Sequence, residues 1–431
     1  MKRISVYTLG CKVNQYESEE IENELIKLGF TLVPHNEVAD IYVINTCSVT
    51  SKADYQSKQV IRRLAKINPH AMLIVTGCYA ETFPDELRTI EGVTAVIGNH
   101  DKQTIPTIIK NHVSYPSQSE NKSDNMCKKP LNISQERHNK RTRGLLRIQN
   151  GCDLYCTYCI VPFARGRLSS LPPHTVIDEL IRYHQNGYHE VVLTGINLGK
   201  YGIDLPSPTS LGTLLDEIAK LDLDMRVRLS SLEPQYLSKD LLTSIKRFKN
   251  TCKHLHIPVQ SGDDFVLKMM GRTYTRSFVR DLIWDVAQSI KDICIGVDVI
   301  VGFPGEGEVE FWNTYRLLEE LPTAYFHVFP FSPRRKTRAY EFPCKVDGKV
   351  KRQRAKILRE LGAKKRKAFY ETLIGKKTQV IFETNMKGRF WKGLSDNYVP
   401  VIVESHKLRN NIKASVIIDN VNDSYVNGRL A

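Results

Sequence analysis

Apolar residues recur along this chain in short runs, each followed by a longer stretch with helical spacing. In residues 1–111 the runs ISVYTL, IYVIN, AMLIVT and VTAVIG read as strands. Between them, YESEEIENELIKLG, SKADYQSKQVIRRLAKIN and TFPDELRTI place apolar residues on one helical face. Strand–helix alternation predicts an α/β domain, a parallel sheet covered by helices. Residues 112–140 are polar without periodicity and read as a linker. The alternation returns in residues 141–373, with LLRIQ, EVVLTG, RVRLSS, HLHIPV, ICIGVDVIVG and AYFHVFPF as strands. Six such units predict a closed or partial (β/α) barrel, whose working face is the C-terminal end of its strands. Residues 374–431 change character. QVIFET, VPVIVES and ASVIIDNVN, separated by Gly and Asn, predict a small antiparallel β-barrel.

Cysteines fall at informative points of this frame. Cys11, Cys47 and Cys78 each stand just past the end of an expected strand. Ligands of an open parallel sheet bind in the crevice outside those ends, so three distant thiols are expected to converge there. Cys152, Cys156 and Cys159 follow the first barrel strand as C-x3-C-x2-C. Three thiolates in so short a loop can hold three irons of a cubane iron–sulfur cluster, which wants four ligands. The fourth iron is left open to a small molecule. A zinc site pairs its cysteines as C-x2-C with a second pair downstream, and none follows. A buried helical stripe is the other alternative, and Gly151, Asp153, Thr157 and Pro162 make a poor helix interior. Cys127, Cys252, Cys294 and Cys344 lack such partners and read as structural or incidental.

Ten cysteines with no signal-like N-terminus predict a reducing, cytoplasmic setting. The longest apolar runs fall short of the roughly 18 residues of a membrane span, so no membrane is expected. Net charge is +15 but uneven: residues 334–377 hold 17 Lys and Arg against 4 Asp and Glu. So concentrated a positive segment suits RNA; a solvated helix is the alternative.

The strings TLGCKVNQYESE, INTCSVTSKAD, GCYAE, RIQNGCDLYCTYCIVPFARG, LTGINL, RLSSLEP, HIPVQSGDD and DVIVGFPGE together resemble the radical S-adenosylmethionine (radical SAM) methylthiotransferases over nearly the whole chain. The resemblance implies an N-terminal auxiliary-cluster domain, a radical SAM core and a TRAM-like RNA-binding β-barrel. It also implies two [4Fe–4S] clusters, on Cys11, Cys47 and Cys78 and on Cys152, Cys156 and Cys159. One S-adenosylmethionine would donate methyl and a second would yield a 5′-deoxyadenosyl radical. Gly-Cys-Lys-Val-Asn at 10–14 resembles the branch acting on N6-threonylcarbamoyladenosine of the tRNA anticodon stem-loop. The branch acting on isopentenyladenosine reads Gln-Met where Lys12 and Val13 stand. A sulfur source and a reducing electron donor are the further partners implied. A non-catalytic iron–sulfur RNA-binding protein is the alternative class. Two sets of three cysteines, each short of a fourth ligand, favour the enzyme.

Softer expectations attach to single residues. Tyr158, between two ligands, is placed to meet the adenine of S-adenosylmethionine. Thr194, Gly195, Ser231, Glu233, Gln260 and Asp298 end or follow barrel strands and are candidate cofactor contacts, with loop capping the competing role. Gly302 and Gly305 either admit close backbone approach to the cofactor or serve a turn with φ > 0. Gly307 stands where the family often has Thr; Glu306 and Glu308 still favour a helix start there. Arg334, Arg335 and Lys336 are expected near the barrel mouth, and Lys364, Lys365, Arg366 and Lys367 lie on a helix-like stretch over 349–373. All seven are candidate tRNA phosphate contacts, delivering tRNA to the mouth together with the terminal barrel.

Overall fold

The computed structural model describes residues 2–114 and 141–431. The expected linker from residue 115 onward, and Cys127 with it, lies outside them. The described chain forms two compact units. One holds the N-terminal residues together with Cys159–Gly166 and Arg334–Lys336; the other holds Arg141–Tyr158, Arg167–Pro333 and Thr337–Ala431.

The N-terminal unit is built on a five-stranded sheet. Its order is Thr31–Leu32, Arg3–Thr8, Ile41–Thr46, Met72–Gly77, Val93–Val96, and every pairing is parallel. Strands Ile41–Thr46 and Met72–Gly77 are buried at all six positions. Successive side chains serve opposite faces: Tyr42 and Ile44 pack with Ile61 and Leu64, whereas Ile41 and Val43 pack with Leu25 and Ile105. A strand covered on both sides reads as a continuous apolar run, which is what IYVIN and AMLIVT are. Helix Ser51–Ile67 is capped by Thr50, whose hydroxyl accepts from the Ala53 N–H at 3.1 Å.

The second unit carries six parallel strands. Gly144–Arg147, Glu190–Thr194 and Arg226–Leu229 form one three-stranded sheet; His254–Gln260, Cys294–Val301 and Tyr325–Pro330 form another. Hydrogen bonds from Val227 N to Asn250 O (2.9 Å) and from Leu232 N to His256 O (2.9 Å) carry the row across the break. Among the described residues no ladder joins the first strand to the last, so the barrel is partial. Helix Gly348–Glu371 lies against the last strand. A Cβ at Gly362 would stand 3.0 Å from the Phe326 ring, so the glycine sets how closely the helix packs.

The terminal domain is a closed five-stranded barrel: Lys377–Lys387, Phe390–Ser395, Pro400–Glu404, Val426–Leu430, Lys413–Val421. Four of its pairings are antiparallel, and Pro400–Glu404 with Val426–Leu430 is parallel. Val380, Phe382, Val401, Val416 and Val426 fill its interior. It docks on the N-terminal ends of the parallel strands. Arg226 donates to the carbonyls of Leu394 (2.8 Å) and Gln379 (3.1 Å), and Arg228 to those of Ser395 and Asp396 (both 3.1 Å). Fully buried Glu190 bridges the two guanidiniums. Burial alone would raise its pKa, but Arg228 and Arg226 hold it down to about 2. The expectation that this barrel serves the mouth is thus corrected, since it sits at the opposite strand ends from the Cys152 loop.

Candidate active site

In the N-terminal unit, the three strand-end cysteines meet around one side chain. Cys11 is the residue before helix Lys12–Lys27; Cys47 follows Thr46; Cys78 opens helix Cys78–Thr82. Asn14 donates from Nδ2 to the carbonyls of Leu9 (2.7 Å) and Thr46 (3.0 Å), locking two strand-end loops together. Its Oδ1 lies 4.0 Å from both Cys11 Sγ and Cys78 Sγ. A Cβ at Gly10 (φ +103°) would stand 3.2 Å from Cys47 Sγ, which brings the third thiol to the same crevice. Burial pushes the Cys47 thiol up to about 12, and nearby Cys78 and Cys11 add to the rise. The three sulfurs therefore sense one another. Three thiols without a fourth protein donor suit a cubane, whose irons each take one thiolate.

Charge compensation is built in beside them. Arg165, buried in this unit, donates to Glu17 and to Asn14 Oδ1. Burial opposes its charge, but Cys78, Glu17 and Cys11 outweigh that and keep it cationic. Lys102 reaches Glu17 at 2.5 Å and Asn45 Oδ1 at 3.2 Å. A cluster on three thiolates carries net negative charge, and a buried guanidinium at two of the three sulfurs suits it. Asn99 adds an amide at 3.8 Å from Cys78 Sγ. None of Asn14, Glu17, Asn99, Lys102 and Arg165 stands out in the sequence as a site residue. Asn14, Glu17 and Arg165 lie inside the cysteine strings, and that proximity is the one signal the sequence offers.

In the second unit, the loop carrying Cys152 and Cys156 is pinned by backbone contacts. Thr157 N–H donates to Met270 O (3.0 Å), its hydroxyl to Met269 O (2.8 Å), and Ala339 N–H to Thr157 O (2.7 Å). Asn197 Nδ2 stands 4.0 Å from Cys152 Sγ. Burial raises the Cys156 thiol, opposed by Arg272. Arg272 pairs with Glu233 and donates to the Tyr158 hydroxyl at 2.5 Å. Tyr158 also sets its ring edge-on to Phe303, centroids 6.4 Å apart. Tyr158, Glu233 and Arg272 are thus a joined polar group beside the cysteine loop. Cys159 lies three residues on, at the start of the segment that belongs to the N-terminal unit.

Other expected cofactor contacts divide. Thr194 is 1% exposed with its hydroxyl toward Leu146 O, so it serves the sheet and not a ligand. The space beside Gly195 is filled by Gln149, and that beside Gly302 (φ +71°) by Lys351, which favours the turn role at Gly302 over a cofactor cradle. Gly305 also needs its turn conformation, at φ +87°. Ser231 is exposed, and Gln260 is strained at φ +69° in a strand-end bulge. Asp298 is held between His256 and His327. Glu306 is buried on Arg354 at 2.8 Å instead of sitting in the helix; burial raises it to about 7 against that arginine. Glu308 and Glu310 open the helix, and Glu310 accepts from the Gly307 N–H at 2.9 Å, so no Thr is needed there.

The basic residues also divide, and Arg334 requires correction. Arg334 is 4% exposed, paired to Asp54 and donating to Ser48 (2.8 Å). Lys336 donates to Thr82 O at 2.6 Å, and Arg335 pairs with Glu86 over the Phe83 ring. This triplet ties its own segment into the N-terminal unit, with Arg334 buried there and Arg335 and Lys336 exposed. On helix Gly348–Glu371, Lys364 and Lys367 are exposed, while Lys365 reaches Glu319 O (2.7 Å) and Arg366 reaches Asp423 O (3.0 Å).

Residues 3–98 match the model of an uncharacterized protein family, UPF0004, and residues 146–318 match that of the radical SAM superfamily. The chain is 34% identical to "Threonylcarbamoyladenosine tRNA methylthiotransferase MtaB" of Aquifex aeolicus, over 94% of this chain and 97% of that one. The chain belongs to the radical SAM tRNA methylthiotransferase family. Within that family it is also 31% identical to a "tRNA-2-methylthio-N(6)-dimethylallyladenosine synthase" of Clostridium botulinum, over 91% of this chain and 90% of that one. The fold has a solved counterpart in the radical S-adenosylmethionine methyltransferase TsrM from Kitasatospora setae. There the TM-score is 0.57 at 14% identity, covering 79% of this chain and 77% of that one. The α/β class expected from the strand pattern and the radical SAM core implied by the resemblance are borne out. Among the described residues no helix is long and apolar enough to cross a membrane.

Proposed function

We propose that this enzyme adds a methylthio group to C2 of N6-threonylcarbamoyladenosine beside the anticodon of tRNA. The observation that carries the reading is the convergence of Cys11, Cys47 and Cys78 on one strand-end crevice, in a chain that holds a separate three-cysteine loop. The C2 hydrogen of adenine is not acidic, so a side-chain base is the wrong tool. Two [4Fe–4S] clusters and S-adenosylmethionine, when bound, supply the radical, the sulfur and the methyl group. The protein's part is placement. Asn14 and Arg165 orient and charge-balance the auxiliary thiols. Arg272, Glu233 and Tyr158 form the polar group beside the Cys152–Cys156 loop. Lys12, next to Cys11, is the cation we assign to the carboxylate that a threonylcarbamoyl group carries and an isopentenyl group lacks. An anticodon-loop base is readily splayed from its stack, as such chemistry requires. A cytoplasmic setting with a low-potential electron donor and a sulfur source belongs to the same reading.

Mass spectrometry of tRNA nucleosides tests it. Cells lacking the gene should lose 2-methylthio-N6-threonylcarbamoyladenosine and accumulate the threonylcarbamoyl precursor. The purified enzyme, reduced and anaerobic, should methylthiolate threonylcarbamoyl tRNA. Modification of isopentenyl tRNA alone would refute the branch and leave the family standing.

A further inference from the structure

Three adjacent strands of the second unit bring His256, Asp298 and His327 together. Asp298 and His327 are direct cross-strand partners, and His256 stands on the strand at the other side of Asp298. His256 Nε2 lies 2.8 Å and His327 Nδ1 3.1 Å from Asp298 Oδ1. Among the described residues this is the group of three ligand-type side chains whose donor atoms all fall within 4.8 Å of one another.

We propose that His256, Asp298 and His327 form a binding site for one divalent transition-metal ion, separate from the iron–sulfur clusters. Two imidazoles and one carboxylate are the donor set of open zinc and non-haem metal sites; imidazole suits Zn²⁺ and Fe²⁺ and the carboxylate also suits Mn²⁺. The supporting shell is present as well. The Tyr325 hydroxyl is 3.1 Å from His256 Nδ1, and the same hydroxyl is 2.8 Å from His254 Nε2. Holding one ring nitrogen by a hydrogen bond leaves the other free for an ion and fixes the ring's aim. His256 is 7% exposed whereas His327 is exposed, so the site is walled on one side and open on the other. Three protein donors and an open side leave room for a water or an anionic oxygen on the ion.

The test uses the full-length protein with both clusters reconstituted in the oxidised, EPR-silent state. Mn²⁺ is titrated anaerobically and its free six-line signal followed; Zn²⁺ is titrated in parallel and counted after gel filtration. The wild type should retain one more ion per chain than His327→Ala, with at least one of the two metals. Iron and sulfide content should be the same in both, which separates this site from the thiols. Asp298→Asn should match His327→Ala. If wild type and both variants retain equal Mn²⁺ and equal Zn²⁺, the proposal is wrong and the three side chains are a hydrogen-bonded group only.

Discussion

Single residues decide more here than their setting in the sequence announces. Glu190 opens the run EVVLT, and Arg226 and Arg228 alternate with apolar residues in RVRL, a pattern of a half-solvated strand. All three are buried because the terminal barrel covers them, and no local pattern records a cover that arrives from about 170 residues later in the chain. The two arginines spend their remaining donors on carbonyls of that barrel. Replacing Glu190 by Gln leaves two buried guanidiniums short of a counter-charge. Breaking such a group costs about 3–5 kcal/mol, so denaturant unfolding at neutral pH should show E190Q destabilised by that order. The pH dependence has a definite sign. The folded carboxyl, at about 2, lies below its ordinary 4.5, so its contribution is present above pH 4.5 and is lost as pH falls toward 2. In metal-free protein the gap between wild type and E190Q should narrow over that window. A constant gap would assign the destabilisation to packing and not to charge.

At the scale of elements, the strands buried on both faces were legible and those of the terminal barrel only in part. KGRFWKG and VNGRL read as loops because of their glycines, yet Phe390–Ser395 and Val426–Leu430 are strands. A Cβ at Gly393 would stand 2.5 Å from Ile381 O, and one at Gly428 2.5 Å from Ile417 O. Where a small barrel curls, adjacent backbones approach too closely for a side chain, and glycine marks the bend within a strand, not its end. Sequence placed the cysteines correctly at strand ends because position along an element is local information. It misassigned Arg334 because its partner, Asp54, is far away in the chain. Charge on helix Gly348–Glu371 gives the prediction at this scale. Lys364 and Lys367 face solvent, so K364A/K367A should weaken tRNA binding about five- to tenfold at low salt. The slope of log affinity against log salt should flatten by up to roughly 2, near 0.9 for each phosphate that is no longer neutralised. Lys365 and Arg366 are anchored on carbonyls, and their removal should move the slope less. An unchanged slope in K364A/K367A would make this run a solvated helix.

Taken as a whole, the chain devotes two separately built places to thiol ligation. Cys11, Cys47 and Cys78 depend on the parallel sheet, on Asn14 and on Arg165. Cys152 and Cys156 depend on the hydrogen bonds of Thr157 with Met269, Met270 and Ala339 in the other unit. The two sets rest on different hydrogen bonds, with Arg165 following Cys159 in one segment, and each should survive removal of the opposite thiols. Triple alanine replacement at Cys152, Cys156 and Cys159 should remove half of the iron and sulfide and abolish cleavage of S-adenosylmethionine. The same replacement at Cys11, Cys47 and Cys78 should also remove half of the metal but leave cleavage detectable, now uncoupled from methylthiolation of tRNA. The two variants therefore share one metal stoichiometry and differ in one activity, a pattern that general misfolding would not produce. Iron and sulfide analysis with product chromatography reads both. If either variant kept the wild-type circular dichroism yet lost all of its iron, the assignment of separate roles to the two cysteine sets would fall.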